Sequence, residues 1–216
     1  MAVLRVKRSK DVIVIIDRGH IIENSDYDSY VDEAKNILKN YIGINDRFGM
    51  FVFDWKFRIL CPIKGKKDID YNQIVSYLNT YSMDYVNNNY DQTSEGMTVE
   101  EVISSINYCV NYLLVKMVEN NEKYFIFFTN VFSTEENFKI FERMKKEKNI
   151  NVIIVGKFYE GVEITTEISE LIEECGKKSE FVDFGNMKRI KNIFSCSNTI
   201  NDPVLFPNEI YESTSK

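Results

Sequence analysis

The sequence predicts an α/β protein of three layers: a mostly parallel central sheet, one antiparallel edge strand, and helices on both faces. Three observations carry this. First, Val12-Ile13-Val14-Ile15-Ile16, Tyr124-Phe125-Ile126-Phe127-Phe128 and Val152-Ile153-Ile154-Val155 are apolar at every position. Short runs with no polar face read as central strands covered on both sides. Second, segments of helical spacing separate these runs, which implies parallel crossovers. Third, two strand-like runs are separated only by Asp54-Trp55-Lys56. That is too short for a crossover, so the pair must be an antiparallel hairpin.

The elements follow in order. The first strand spans Asp11–Asp17 and ends on a carboxylate. An irregular acidic turn, His20 to Asp28, leads to a helix from Ser29 to Tyr41 with Val31, Ala34, Ile37, Leu38 and Tyr41 on one face. Gly43 is placed to close it. Arg47–Phe53 and Phe57–Pro62 are the hairpin strands, the second ended by Pro62 as expected at a sheet edge. A helix is expected over Tyr71–Tyr81, with Ile74, Val75, Tyr77 and Leu78 facing inward. After the loop Asn87–Thr93, Thr98 and Glu101 form a capping box. Behind it the longest helical period runs from Val99 to Met117. Tyr124–Asn130 is the fourth strand, Ser133 with Glu136 caps a helix to Lys148, and Asn151–Gly156 is the fifth strand. Glu163–Cys175 is a helix, Glu180–Phe184 a short last strand, and Met187–Phe194 a last helix. Residues 1–196 therefore read as one domain and 197–216 as a C-terminal tail, with Val204, Leu205 and Phe206 between two prolines.

Bulk properties exclude several classes. The 216 residues carry a net charge of -6, and Lys7-Arg8-Ser9-Lys10 and Lys64-Gly65-Lys66-Lys67 are short and separated by acidic stretches. A direct nucleic-acid partner is therefore not expected. Cys61, Cys109, Cys175 and Cys196 are far apart and mostly on apolar faces, which fits buried free thiols better than a disulfide frame or a zinc site. No run of about 18 apolar residues is present, so no membrane span is expected. Met1–Arg5 lacks an apolar core, so no signal peptide is expected there. The expected setting is intracellular, cytoplasmic or nuclear. Trp55, at the hairpin tip, has little core to enter and is a candidate contact residue.

Four pieces, in this order, resemble the von Willebrand factor type A (vWA, integrin I-like) family over about residues 10–195. They are the apolar strand ending in Asp17, Asp46–Phe53 before a short hairpin, Asp91-Gln92-Thr93 ahead of a long helix, and Phe127-Phe128-Thr129-Asn130 closing the fourth strand. The resemblance implies a Rossmann-like three-layer fold. It also implies a metal-ion-dependent adhesion site: Asp-x-Ser-x-Ser after the first strand, a Thr before the long helix, and an Asp after the fourth strand. Together they hold a hard divalent ion that wants about six oxygens. Here Asp17 matches the first Asp and Thr93 the Thr. Gly19 and Ile21 stand in place of the two Ser, and Asn130 in place of the last Asp. Three of the five oxygen positions remain, and one carboxylate in place of two. Arg18 and His20 flank Asp17, and positive charge there disfavours a cation. The expectation is a degenerate site without Mg²⁺, in which Asp17 accepts hydrogen bonds from Thr93 and the Asn130 amide. Mg²⁺ on Asp17, Thr93 and Asn130, with Asp26, Asp28 or Ser29 as replacement donors, is the alternative.

A second, partial resemblance is to haloacid dehalogenase-like phosphatases, which also end an apolar strand on a nucleophilic Asp and a later one on Thr. There the general acid-base needs a second Asp two residues on, and that place is Gly19. His20 is the only histidine, and no phosphate-loop glycine spacing exists. No enzyme activity is expected. By the vWA resemblance the function is protein–protein binding within a larger complex. The expected rim is Asp17, Arg18, Gly19, His20, Ile21, Thr93 and Asn130, with Val131-Phe132. The tail is a second candidate surface.

Overall fold

A computed structural model describes residues 8–18, 24–53, 57–80, 111, 114–129, 150–156, 170 and 172–195. Outside them lie Gly19, His20, Ile21, Trp55, Thr93, Cys109, Asn130, Val131, Phe132, Cys196 and the tail. The expected helices over 98–117, 133–148 and 163–175 also fall wholly or largely outside.

Among the described residues six strands form one sheet: β1 (Lys10–Asp17), β2 (Arg47–Phe53), β3 (Phe57–Gly65), β4 (Glu122–Phe128), β5 (Ile150–Gly156) and β6 (Glu180–Asp183). Their order across the sheet is β3-β2-β1-β4-β5-β6. β1 pairs in parallel with β2 and β4, β4 with β5, and β5 with β6. Among the described strands only the β2–β3 hairpin is antiparallel. The mostly parallel sheet with one antiparallel edge strand is the one read from the sequence. From β1 the chain goes first to one side, through β2, and later returns to the other, through β4. The carboxyl ends of β1 and β4 therefore flank the topological switch point, where open α/β sheets place their ligand crevice.

Strand pleat divides the core. Val12, Val14 and Ile16 of β1 share a face with Phe48, Met50, Val52, Tyr124, Ile126, Phe128, Ile153 and Val155. Helices α1 (Asn24–Asn36), α2 (Tyr71–Thr80) and α3 (Lys188–Ser195) cover that face through Tyr27, Tyr30, Val31, Ala34, Ile74, Leu78, Ile190, Ile193 and Phe194. The alternate residues Ile13, Ile15, Phe51, Phe125, Phe127 and Ile154 are equally buried on the opposite face. Each such side chain contributes about 1.5–3 kcal/mol of burial, so a one-residue slip of β1 is strongly disfavoured. Aromatic contacts set the helix positions. Tyr30 packs on Phe128 and Phe184 with centroids 5.3 and 4.9 Å apart, and Phe194 packs on Tyr124 at 4.9 Å.

Two boundaries differ from the sequence reading by three residues or more, the start of α1 and the end of β3. Helix α1 starts at Asn24, five residues early, because Tyr27 extends the buried stripe by one turn and Asp26 suits a helix N-terminus. It closes in a π-helical turn over Ile37–Tyr41, with Ile42 N–H bonded to Ile37 O at 3.2 Å. β3 continues through Pro62 to Gly65. An edge strand has one side without a ladder, so a missing N–H there costs no pairing.

The amino ends of the strands are sealed by buried charge. Asp46 accepts from Lys10 N–H at 2.8 Å and Gly43 N–H at 2.6 Å, and its Oδ2 lies 3.1 Å from Lys10 Nζ. Both side chains are almost fully buried. Asp11 accepts from Val118 N–H at 2.6 Å and Asn121 Nδ2 at 2.8 Å. Gly176 is required by close approach: a Cβ there would lie 2.6 Å from Ile150 O. Cys61 and Cys175 are buried free thiols, as expected.

Candidate functional site

The register of β1 against β4 pairs Ile15 with Phe127 and Ile16 with Phe128. One step further, Asp17 comes opposite Thr129. Both continue the face that carries Ile13, Ile15, Phe125 and Phe127, so pleat and register together aim their side chains at each other. Thr129 Oγ1 donates to Asp17 Oδ2 at 2.9 Å. Thr129 is buried, and its N–H is fixed by Val155 O at 3.0 Å, which ties this point to β5 as well. The carboxylate therefore stands at the switch point, half-buried, with a neutral hydroxyl bonded to one oxygen.

Arg18 follows the opposite parity, that of Val12, Val14 and Ile16. Its side chain turns toward the α1 layer, where it is 5% exposed and its guanidinium lies 4.6 Å from the centre of the Tyr27 ring. Buried cation–π contacts of this kind are worth about 2 kcal/mol. Tyr27 in turn donates its hydroxyl to Leu78 O of α2 at 3.3 Å. Arg18, which the sequence reading assigned to the rim, thus connects the end of β1 to α1 and α2 with its side chain buried. Asp26 and Ser29, considered as replacement oxygen donors, belong to α1. Asp26 is buried, and Ser29 Oγ donates to Ser25 O at 2.7 Å.

The described part of the site is therefore Asp17, Arg18 and Thr129. Gly19, His20, Ile21, Thr93 and Asn130 lie outside the described residues. Thr129 is the residue that sequence reasoning passed over as a partner of Asp17, having assigned that role to Thr93 and Asn130. The signal was present: a hydroxyl directly after an apolar strand, at the same parity as the preceding core residues.

A divalent ion of the Mg²⁺ type wants about six oxygens. Asp17 and Thr129 supply a carboxylate and a hydroxyl that are bonded to each other, beside the buried guanidinium of Arg18. Among the described residues this set does not fit such an ion, and no cluster of three or more His, Cys, Asp or Glu is placed to hold a metal.

No protein-family model and no curated protein matches the chain. Solved structures do. BatB from Bacteroides thetaiotaomicron is similar with a TM-score of 0.54 at 20% identity, over 88% of this chain and 98% of that one. Manganese-loaded TRAP from Plasmodium vivax is similar with a TM-score of 0.58 at 16% identity, over 87% and 74%. The SpRpn10 VWA domain is similar with a TM-score of 0.56 at 14% identity, over 86% and 95%. Sheet order, the lone antiparallel edge strand and these likenesses agree: the chain has the Rossmann-like α/β fold of the von Willebrand factor type A domains.

Proposed function

We propose that this chain is a non-catalytic protein–protein interaction domain of the vWA type, acting inside a larger intracellular complex. Its binding rim lies at the carboxyl ends of β1 and β4, around Asp17. The observation that carries this reading is the 2.9 Å bond from Thr129 Oγ1 to Asp17 Oδ2. A carboxylate bonded to a neighbouring hydroxyl, next to an arginine folded into the core, is built as an internal brace. A nucleophile or a cation ligand instead needs oxygens directed outward and a second acidic group. The brace shapes the crevice, and the residues that follow it in sequence, Gly19, His20 and Ile21, meet the partner. Among the described residues no helix is long and apolar enough to cross a membrane.

Affinity capture from native extract tests this. The parent is expected to retain specific proteins that are lost with the rim variant Ile21→Asp, while Asp17→Asn retains them. Equal retention by parent and Ile21→Asp would place the interface elsewhere. A second reading, in which a residual site binds a divalent ion and then an acidic ligand, is favoured by the manganese-loaded state of the similar TRAP structure. It differs in one outcome, a requirement for Mg²⁺ or Mn²⁺ in capture. The phosphatase reading requires turnover of a generic phosphate ester that Asp17→Asn abolishes, and none is expected.

A further inference from the structure

Among the described strands β3 and β6 are the outermost of the sheet. The edge of an outermost strand offers a row of N–H and C=O groups on which another strand can form. β3 is the more inviting of the two: it runs for nine residues, and Ile59 on it is 44% exposed. A long, partly apolar edge is a site of chain-to-chain association unless something interrupts it.

Three features interrupt β3. Pro62 sits inside the strand, exposed and without an N–H. Proline is tolerated in a strand where its nitrogen faces away from the neighbour, so a strand laid along the outside of β3 finds no donor there. The pairing with β2 also slips twice. Phe48 pairs with Lys64 and Met50 with Cys61, which is three steps along β3 for two along β2; Phe51 then pairs with Ile59, two steps for one. Each slip leaves one extra residue on β3, which bends that strand and increases its twist. Lys64, two residues beyond Pro62, adds an ammonium to the edge, where a charge disfavours a covering strand. β6 is protected differently. It has four residues, Glu180–Asp183, and passes at once into a 3-10 turn over Phe184–Asn186. Alternate N–H groups along a strand point to opposite sides, so β6 offers about two to a neighbour.

From these features we infer that both edges of the sheet refuse a further strand, whether from a second copy of this chain or from a partner. Strand addition, a common way to take an extended segment, is thereby removed as a binding mode, and contacts are left to the strand ends and the helix faces. The inference does not depend on the rim around Asp17: it holds whether or not a protein binds there.

The test is sedimentation velocity of the full chain at rising concentration, comparing the parent with the double variant Pro62→Thr/Lys64→Thr. The variant restores the N–H and removes the charge without adding a large apolar side chain, and melting curves verify that it folds. Where it melts below the parent, Pro62→Ala, which restores only the N–H, takes its place with the same expected direction. The variant should associate with itself about tenfold more tightly than the parent, and adding Ile59→Lys should reverse this. In the parent Ile59→Lys should leave sedimentation unchanged. A variant that associates no more than the parent would overturn the inference. So would association of the variant that Ile59→Lys leaves intact, or association of the parent that Ile59→Lys abolishes, since β3 would then be an open edge.

Discussion

Replacing Thr129 with Val removes the hydroxyl that braces Asp17 and keeps the shape of the side chain. Thr129 is buried and its N–H stays bonded to Val155 O, so the substitution opens no cavity and breaks no backbone bond. The substitution removes the 2.9 Å hydrogen bond to the Asp17 carboxylate. Bonds to charged groups contribute about 1.5–3 kcal/mol, and the partial exposure of Asp17 lowers this to about 1–2 kcal/mol. For a domain of this size the melting temperature should fall by about 2–8 °C. Thr129→Ser keeps the hydroxyl and should recover most of the loss. Urea denaturation of Thr129→Val, Asp17→Asn and the double variant closes a cycle in which the two changes should couple by about 1 kcal/mol. Additive effects, or a Thr129→Val variant as stable as the parent, would refute the brace.

Two further outcomes follow from the same geometry. Asp46→Ala leaves the buried Lys10 ammonium and the N–H groups of Lys10 and Gly43 without their acceptor, so chemical denaturation should register a loss of about 3–5 kcal/mol. Lys10→Met, which leaves Asp46 its two backbone donors, should cost less. Glu33 is half-buried, and its Oε1 is buried with no hydrogen-bond partner among the described residues. Burial raises its pKa above the usual 4.5, and the Asn36 side chain offsets part of this. A raised carboxyl pKa favours the protonated form in the folded state, so the ionised group costs stability at neutral pH and the cost fades as pH falls through the folded value. Glu33→Gln should therefore stabilise the chain at pH 7 by a few tenths to about 1 kcal/mol. That gain should disappear near pH 4, as followed by melting curves across pH.

The central sheet was legible because its signals are local. The unbroken apolar runs of β1, β4 and β5 demand cover on both faces, and the three-residue link between β2 and β3 permits only a hairpin. The parity of Arg18 also pointed inward, toward the face of Val12, Val14 and Ile16. The contacts at the strand ends were not legible in the same way. Asp11 meets the Val118 N–H 107 residues away, and Thr129 meets Asp17 across 112. Nothing local distinguishes such carboxylates from solvated ones until the strand order is known. Given that order, the register alone pairs Asp17 with Thr129. Pro62 was expected to end β3 although that strand was already placed at the edge; an edge strand has one side without a ladder, so β3 runs through Pro62 to Gly65.

The central claim is that Asp17 braces the fold and holds no functional ion. Melting the chain while titrating Mg²⁺ and Mn²⁺ to millimolar levels measures this directly, because a ligand bound only by the native state must stabilise it. An ion at about 100 times its Kd adds about 2.7 kcal/mol, which here corresponds to about 5–10 °C. No shift is predicted for either ion, with parent and Asp17→Asn alike. An upward shift in the parent that Asp17→Asn removes would contradict the account.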